Sequence, residues 1–239
     1  MAVDLVRKIV ARLSTERCAH KLVVKWDLSD RQCLTLLLSK CLGFGIVLSA
    51  SIVKVPQIIK VIRNSSSDGL NLSSIILETA AYSISLAYNY RNGNPFSTFG
   101  EILFITIQDV LLVLLVCAYQ RRTRSSVLFA STFLISQVLL YKQIPQDLLQ
   151  TLQALTIPLT LSSRIPQIVE IAKRGNTGTL SSITIFLFFL GALARVFTTL
   201  KEVPDKLLLL GCVLGAALNG ILSAQMLWYW NVSPKIKKA

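Results

Sequence analysis

Seven apolar stretches of bilayer-crossing length leave this chain little choice of fold. A helix needs about 20 predominantly apolar residues to cross a hydrocarbon core. With no water there, every backbone polar group must be satisfied within the segment. Such stretches run over 37–60, 71–90, 99–120, 125–141, 147–170, 179–200 and 206–230, the fourth being the shortest and the fifth the most polar. Breakers and charges fill the connectors, as in Asn64 to Gly69, Asn92 to Pro95, Arg121 to Arg124, Lys173 to Asn176 and Pro204-Asp205. Trp228, Tyr229 and Trp230 close the last stretch as an interfacial aromatic belt does. An all-α, polytopic membrane protein is predicted.

Composition agrees. Only 15% of residues are charged, where a soluble domain has about a quarter. The net charge of +13 sits in short connectors and both tails rather than on one continuous basic face, so no nucleic-acid partner is expected. Cys18, Cys33, Cys41, Cys117 and Cys212 show no paired spacing, and with His20 as the one histidine no metal-ligand pattern arises. No position offers a nucleophile with its base or an acid–base pair, so neither an enzyme nor a cofactor is expected. Residues 1–32 alternate apolar clusters with cations, which fits an amphipathic helix on a membrane surface or a solvated helical tail. They carry no compact apolar run with a small-residue cleavage site, so no cleaved signal peptide is expected.

Self-similarity is the strongest signal. Residues 54–75 read KVPQIIKVIRNSSSDGLNLSSI and residues 164–183 read RIPQIVEIAKRGNTGTLSSI. Both run cation, apolar, Pro, Gln, Ile, apolar, basic connector, Gly, Leu-Ser-Ser-Ile. Because the copies begin in the first and fifth stretches, an even number of crossings separates them and both have one orientation. The organisation predicted is a tail over 1–32, a three-helix repeat over 33–120, a linker helix over 121–146, a second three-helix repeat over 147–230 and a basic tail over 231–239. Parallel duplications of this kind hold substrate where the halves meet.

Proline inside a helix removes a hydrogen bond and clashes with the preceding turn. Pro56 and Pro166 are therefore expected to kink their spans, as hinges or as static packing kinks. Gln57 and Gln167 are expected to supply the freed carbonyls with amide donors or to face a polar cavity. Lys54 and Arg164, three residues earlier, share that helical face. Together these residues suit an anionic headgroup, although cations so close to a span end also snorkel to the interface. Further candidates are the polar residues within apolar runs: Glu78, Asn89, Gln108, Asp109, Arg195, Asn219 and Gln225. An ionisable group in a span costs about 2.5–3.5 kcal/mol even on insertion scales, so each is a functional hypothesis. Arg195 is the expected counter-ion to Glu78 or Asp109, in a substrate contact or a structural pair. Lys40 and Glu101 are read as interfacial.

These residues resemble the PQ-loop membrane proteins, which include sugar uniporters and lysosomal amino-acid exporters. The stretches LLSKCLGFGIVLSASIVKVPQ, NPFSTFGEILF, SSITIFLFFLGALARVFT and LNGILSAQMLWYWN carry the likeness, from about residue 26 onward. Within that family the resemblance implies an endoplasmic reticulum protein serving the lumenal use of dolichol-phosphate-linked mannose and glucose. It would translocate these lipids or present them to glycosyltransferases. Small-solute uniport, as in sister branches, is the alternative. The tail Lys235-Ile236-Lys237-Lys238-Ala239 is similar to a dilysine retrieval signal, which needs a cytosolic C-terminus. Cations in the connectors after stretches 1, 3 and 5 favour that orientation, and the seven Lys or Arg of the N-terminal tail oppose it. The sequons at Asn64, Asn71 and Asn231 fall on the side read as cytosolic.

Overall fold

A computed structural model describes residues 2–27, 29–67, 70–162, 164–175 and 182–230. The dilysine tail, the Asn231 sequon and part of the second Leu-Ser-Ser-Ile lie outside them. Among the described residues every regular element is a helix: α1 (Ala2–Leu13), α2 (Glu16–Ala19), α3 (Arg31–Ala50), α4 (Val55–Asn64), α5 (Leu72–Arg91), α6 (Phe96–Tyr119), α7 (Thr123–Val138), α8 (Gln146–Ser162), α9 (Ile165–Arg174), α10 (Ser182–Glu202) and α11 (Lys206–Trp228). Wider π-type turns extend α2 over His20–Val24 and α7 over Leu139–Gln143.

Among the described residues five segments are long and apolar enough, by length and composition, to cross a membrane: Arg31–Asn64, Phe96–Tyr119, Thr123–Gln143, Ile183–Glu202 and Lys206–Trp228. Seven were expected. The helix α5 has the length but dilutes its apolar residues with Glu78, Asn89 and Arg91, and α8 has only 17 residues and opens on Gln146 and Asp147.

Two compact units are present, one of Met1–Gly43 with Ile157–Ala239 and one of Phe44–Thr156, so the boundaries fall inside α3 and α8. In the second, Ile58 and Val61 of α4, Ile75 of α5 and Leu112, Val113, Val116 and Cys117 of α6 form the core, with Tyr119 packed beside them. The Asn71 side chain accepts the Ser74 amide to start α5. At its far end Arg91 donates to the carbonyls of Leu140 (3.1 Å) and Ile144 (2.7 Å), groups that the wide turn closing α7 leaves without helical partners. No side chain of α7 itself is buried, and Val127, Leu128, Leu134 and Ile135 stand exposed, as on a helix that faces lipid.

In the first unit Ile171 of α9, Ile185 of α10 and Leu222 and Met226 of α11 form the core, with Ile168 and Tyr229 against it. Gly220 lies so close to the Phe189 ring that an added Cβ would meet it at 3.1 Å, which lets α10 and α11 pack tightly. Asp205 caps α11 by accepting from the amides of Leu207 and Leu208. Cys18 and Cys33 are joined in a disulfide, a pairing that sequence spacing did not reveal.

The two cores repeat one another at six positions. In the register that sets Pro56 on Pro166, Ile58 matches Ile168, Val61 matches Ile171, Ile75 matches Ile185, Leu112 matches Leu222, Val116 matches Met226 and Tyr119 matches Tyr229. This corrects the alignment drawn from Leu-Ser-Ser-Ile. That motif would match Ile75 with Ile183, yet Ile183 is 73% exposed while Ile185 is buried. Packing follows the constant register, and the shared tetrapeptide sits two residues out of step with it.

Candidate functional site

Each Pro-Gln unit sits at a helix break, not at a kink inside a continuous helix as the sequence led us to expect. The helix α3 ends at Ala50, turns through Ser51 to Lys54 and restarts as α4, with Pro56 in its first turn. Likewise α8 ends at Ser162 and α9 starts at Ile165, with Pro166 in its first turn. A first-turn proline removes an N–H that has no helical partner anyway, so it starts a new helix at little cost. Among the described residues Pro158 of α8 does lie inside a helix, and sequence reading passed over it.

A break in an apolar segment frees backbone groups that need partners. Gln108 of α6 supplies them in the first repeat. Its Nε2 donates to the Ala50 carbonyl at 2.8 Å and its Oε1 accepts from the Lys54 amide at 2.9 Å, so one buried amide bridges both sides of the gap. The third contact, Nε2 to the Phe104 carbonyl, anchors it to its own helix. Sequence reading had offered Gln57 and Gln167 for this work, or for facing a polar cavity. Neither makes a side-chain hydrogen bond to a described residue, Gln57 being half-buried and Gln167 exposed.

The Lys54 ammonium then closes a charge cluster. It is paired with Glu78 of α5 at 2.8 Å and with Asp109 of α6 through a short ion pair. The Lys54 side chain is 16% exposed and Asp109 fully enclosed, while Glu78 remains 40% exposed. One Asp109 oxygen, Oδ2, receives no hydrogen bond from the described residues. Lys54, not Arg195, is thus the cation beside both carboxylates. Arg195 stands on α10 in the other compact unit, half-buried, its carbonyl accepting from Thr198.

Among the described residues the second repeat shows no such cluster around Arg164. In the packing register Glu78 becomes Phe188, Asp109 becomes Asn219 and Gln108 becomes Leu218. The Arg164 guanidinium lies 5.0 Å from the centre of the Phe188 ring, and among the described residues it has no carboxylate partner. Asn219 donates to the Gly215 carbonyl of its own helix instead of reaching toward Arg164. Gln225 joins α11 to α9 at the Ile168 carbonyl, one turn beyond the break. The first repeat therefore compensates and bridges its break, while the second leaves a half-buried arginine on an aromatic face.

Two further polar residues have partners within the described structure. Asn89 is buried, donates to the Ser85 carbonyl and accepts from Asn94, shaping the end of α5. Lys40 pairs at 2.6 Å with Glu202 of α10, whose side chain is 1% exposed and also accepts the Ser39 hydroxyl. The signal for that pair was weak, since Glu202 lies at a span end among other charges.

Gln108 makes a sharp prediction. Replacing it with leucine, the residue its counterpart already is, takes away the Lys54 amide's partner, at about 1–3 kcal/mol, and leaves the Ala50 carbonyl only the 3.4 Å bond from the Val53 amide. We expect a lower melting temperature for detergent-solubilised Gln108→Leu. Leu218→Gln, at the equivalent position of the second repeat, should not show that loss.

Relatives place the repeat. The sequence profile of the PQ loop repeat matches residues 38–98 and 148–208, in the register of the two cores. Human solute carrier family 66 member 3 is 28% identical over 183 residues, covering 77% of this chain and 90% of that protein. With two matched copies spanning half of its length and helices fit to cross a bilayer, the chain belongs to the PQ-loop repeat family of membrane proteins.

Proposed function

We propose that the protein handles an anionic, polyprenyl-phosphate-linked sugar, moving it between leaflets of the endoplasmic reticulum membrane for lumenal glycosylation. The observation that carries this reading is Arg164. A guanidinium stays charged, and a charge in a membrane-embedded segment is costly without a counter-charge. Its equivalent, Lys54, finds that counter-charge in Glu78 and Asp109. Arg164 has an aromatic ring and leaves its charge for an incoming anion. A phosphodiester fits a forked donor, and the exposed Phe188 and Ile165 beside it suit a hydrocarbon tail.

Family membership supports a transport class, as does similarity to a protein described as a solute carrier. The substrate follows the resemblance of stretches such as LLSKCLGFGIVLSASIVKVPQ and LNGILSAQMLWYWN to the mannose-P-dolichol utilisation defect protein. On this reading dolichol-phosphate-mannose and dolichol-phosphate-glucose are the substrates. The chain forms seven spans in a 3+1+3 order, with α5 and the α8–α9 pair as the two spans of lower hydropathy. The C-terminal tail is cytosolic and serves retrieval, and the protein performs no covalent chemistry.

Vesicles reconstituted with labelled dolichol-phosphate-mannose test the proposal. Protein-dependent loss of label from the outer leaflet is expected. Rates equal to protein-free vesicles would end the transport reading, and stimulation of a lumenal mannosyltransferase without flip would establish an adaptor that presents the lipid.

A further inference from the structure

The segment ahead of the first span is folded by bonds that no crossing requires. Cys18 and Cys33 form the disulfide with Cα atoms 5.2 Å apart. Both are buried, with Leu22 between them and Leu37 packed alongside. Lys21 and Asp30 tie the same two strands of chain by a 2.6 Å ion pair. Asp30 also accepts the Cys33 amide and so helps start α3, and the Lys21 hydrogen bond holds its carboxyl below the usual range. These contacts close a loop of separation 15 around the entry to the first span, with α1 packed on α2 and its following turn.

A disulfide persists in an oxidising compartment and is kept reduced in the cytosol. The charge rule alone does not settle the side. Ten cations fall in the connectors after stretches 1, 3 and 5 and the C-terminal tail, against eleven in the N-terminal segment and the other connectors. The disulfide breaks that tie. Chain length constrains the segment further. Trp26, 77% exposed, lies five residues before the span begins at Arg31, within about 18 Å of its end even if fully extended. Val24 beside it is exposed, as are Leu5 and Val6 of α1, with Lys8, Arg17 and Lys25 as the nearby cations. Exposed tryptophan and aliphatic groups among cations, held this near a span end, match the headgroup layer.

We infer that the segment before α3 is a disulfide-closed cap on the non-cytosolic face of the membrane, seated in the lipid headgroup layer. This does not rest on the transport reading, and either can fail alone. A non-cytosolic cap also puts Asn64 and Asn71, just past the first span, in the cytosol, where their sequons would stay unmodified.

Thiol counting on the full-length protein tests the disulfide. Membranes are denatured without reductant and labelled with a maleimide-polyethylene glycol. Three additions are expected, at Cys41, Cys117 and Cys212, rising to five after reduction. Five additions without reductant would overturn the cap. Side is tested by adding an Asn-Gly-Thr acceptor on a short Gly-Ser extension before Ala2. An endoglycosidase-sensitive mobility shift is expected, and an unmodified extension, or modification at Asn64 or Asn71, counts against the proposal. Seating is read from Trp26 fluorescence in a Trp228→Phe, Trp230→Phe background. Lipids brominated near the headgroup should quench it more than lipids brominated at the chain end. Quenching by neither places the cap in water and refutes the seating.

Discussion

Lys54→Ala is expected to destabilise the protein by about 3 kcal/mol, whereas Arg164→Ala at the equivalent position should change stability by less than about 1 kcal/mol. Removing one partner of a buried pair leaves the other charge uncompensated, which costs about 3–5 kcal/mol when both are enclosed. Asp109 is fully enclosed and Lys54 nearly so, so that arm sits close to the full range. The Glu78 arm is 40% exposed and adds little, as solvent-screened pairs do. Arg164 leaves behind no buried carboxylate among the described residues, and its loss removes a cation–π contact of about 0.5–1 kcal/mol. Asp109→Asn tests the same logic from the other side. Combined with Lys54→Ala it should recover part of the loss, because two neutral groups replace a stranded charge. Glu78→Gln should stay near wild type. The measurement is the unfolding midpoint of purified protein in one detergent. Equal losses at Lys54 and Arg164 would refute the asymmetry.

That asymmetry marks where sequence reading reached and where it stopped. Apolar run length and the Pro-Gln duplication are local patterns, and both lead to the helical membrane architecture and the family. The ionisable residues were legible too, because Lys54, Glu78, Asp109 and Arg164 stand out against apolar surroundings. Their partnerships were not. Gln108 bridges Ala50 and Lys54 across more than 50 residues, and nothing in the spacing singles it out from Gln57, which the motif itself advertises. Lys40 with Glu202 and Cys18 with Cys33 are missed for the same reason: side-chain pairing across helices depends on how the helices pack, which a single sequence does not encode locally. The Leu-Ser-Ser-Ile motif misled in the opposite direction. Letter identity suggested one register, and burial of Ile185 in place of Ile183 selected another. In the packing register Phe188 takes the place of Glu78 and Asn219 that of Asp109, so the carboxylates that compensate Lys54 have no counterpart in the second repeat.

Arg164→Gln is expected to weaken binding of dolichol-phosphate-mannose about 10- to 100-fold without a matching loss of stability. A hydrogen bond to a charged group contributes about 1.5–3 kcal/mol, and a forked guanidinium makes such bonds to a phosphate in pairs. Arg164→Lys should recover only part of the affinity, since an ammonium keeps the charge and loses the fork. Phe188→Ala should cost less than either, because it removes the ring on which the guanidinium rests while leaving the cation. Lys54→Ala would mislead here, since it perturbs the fold through Asp109. The cleaner control is Lys54→Arg, which preserves the charge beside both carboxylates and should bind like wild type. Binding is read as a ligand-induced rise in melting temperature, with dolichyl phosphate, dolichol-phosphate-mannose, dolichol and inorganic phosphate compared at equal concentration. The two phosphorylated lipids should stabilise wild type and not Arg164→Gln, and dolichol should act on neither. Inorganic phosphate separates a simple anion site from one that also needs the tail. Equal stabilisation of wild type and Arg164→Gln by the phosphorylated lipids removes Arg164 from substrate recognition, and the argument from its missing carboxylates with it.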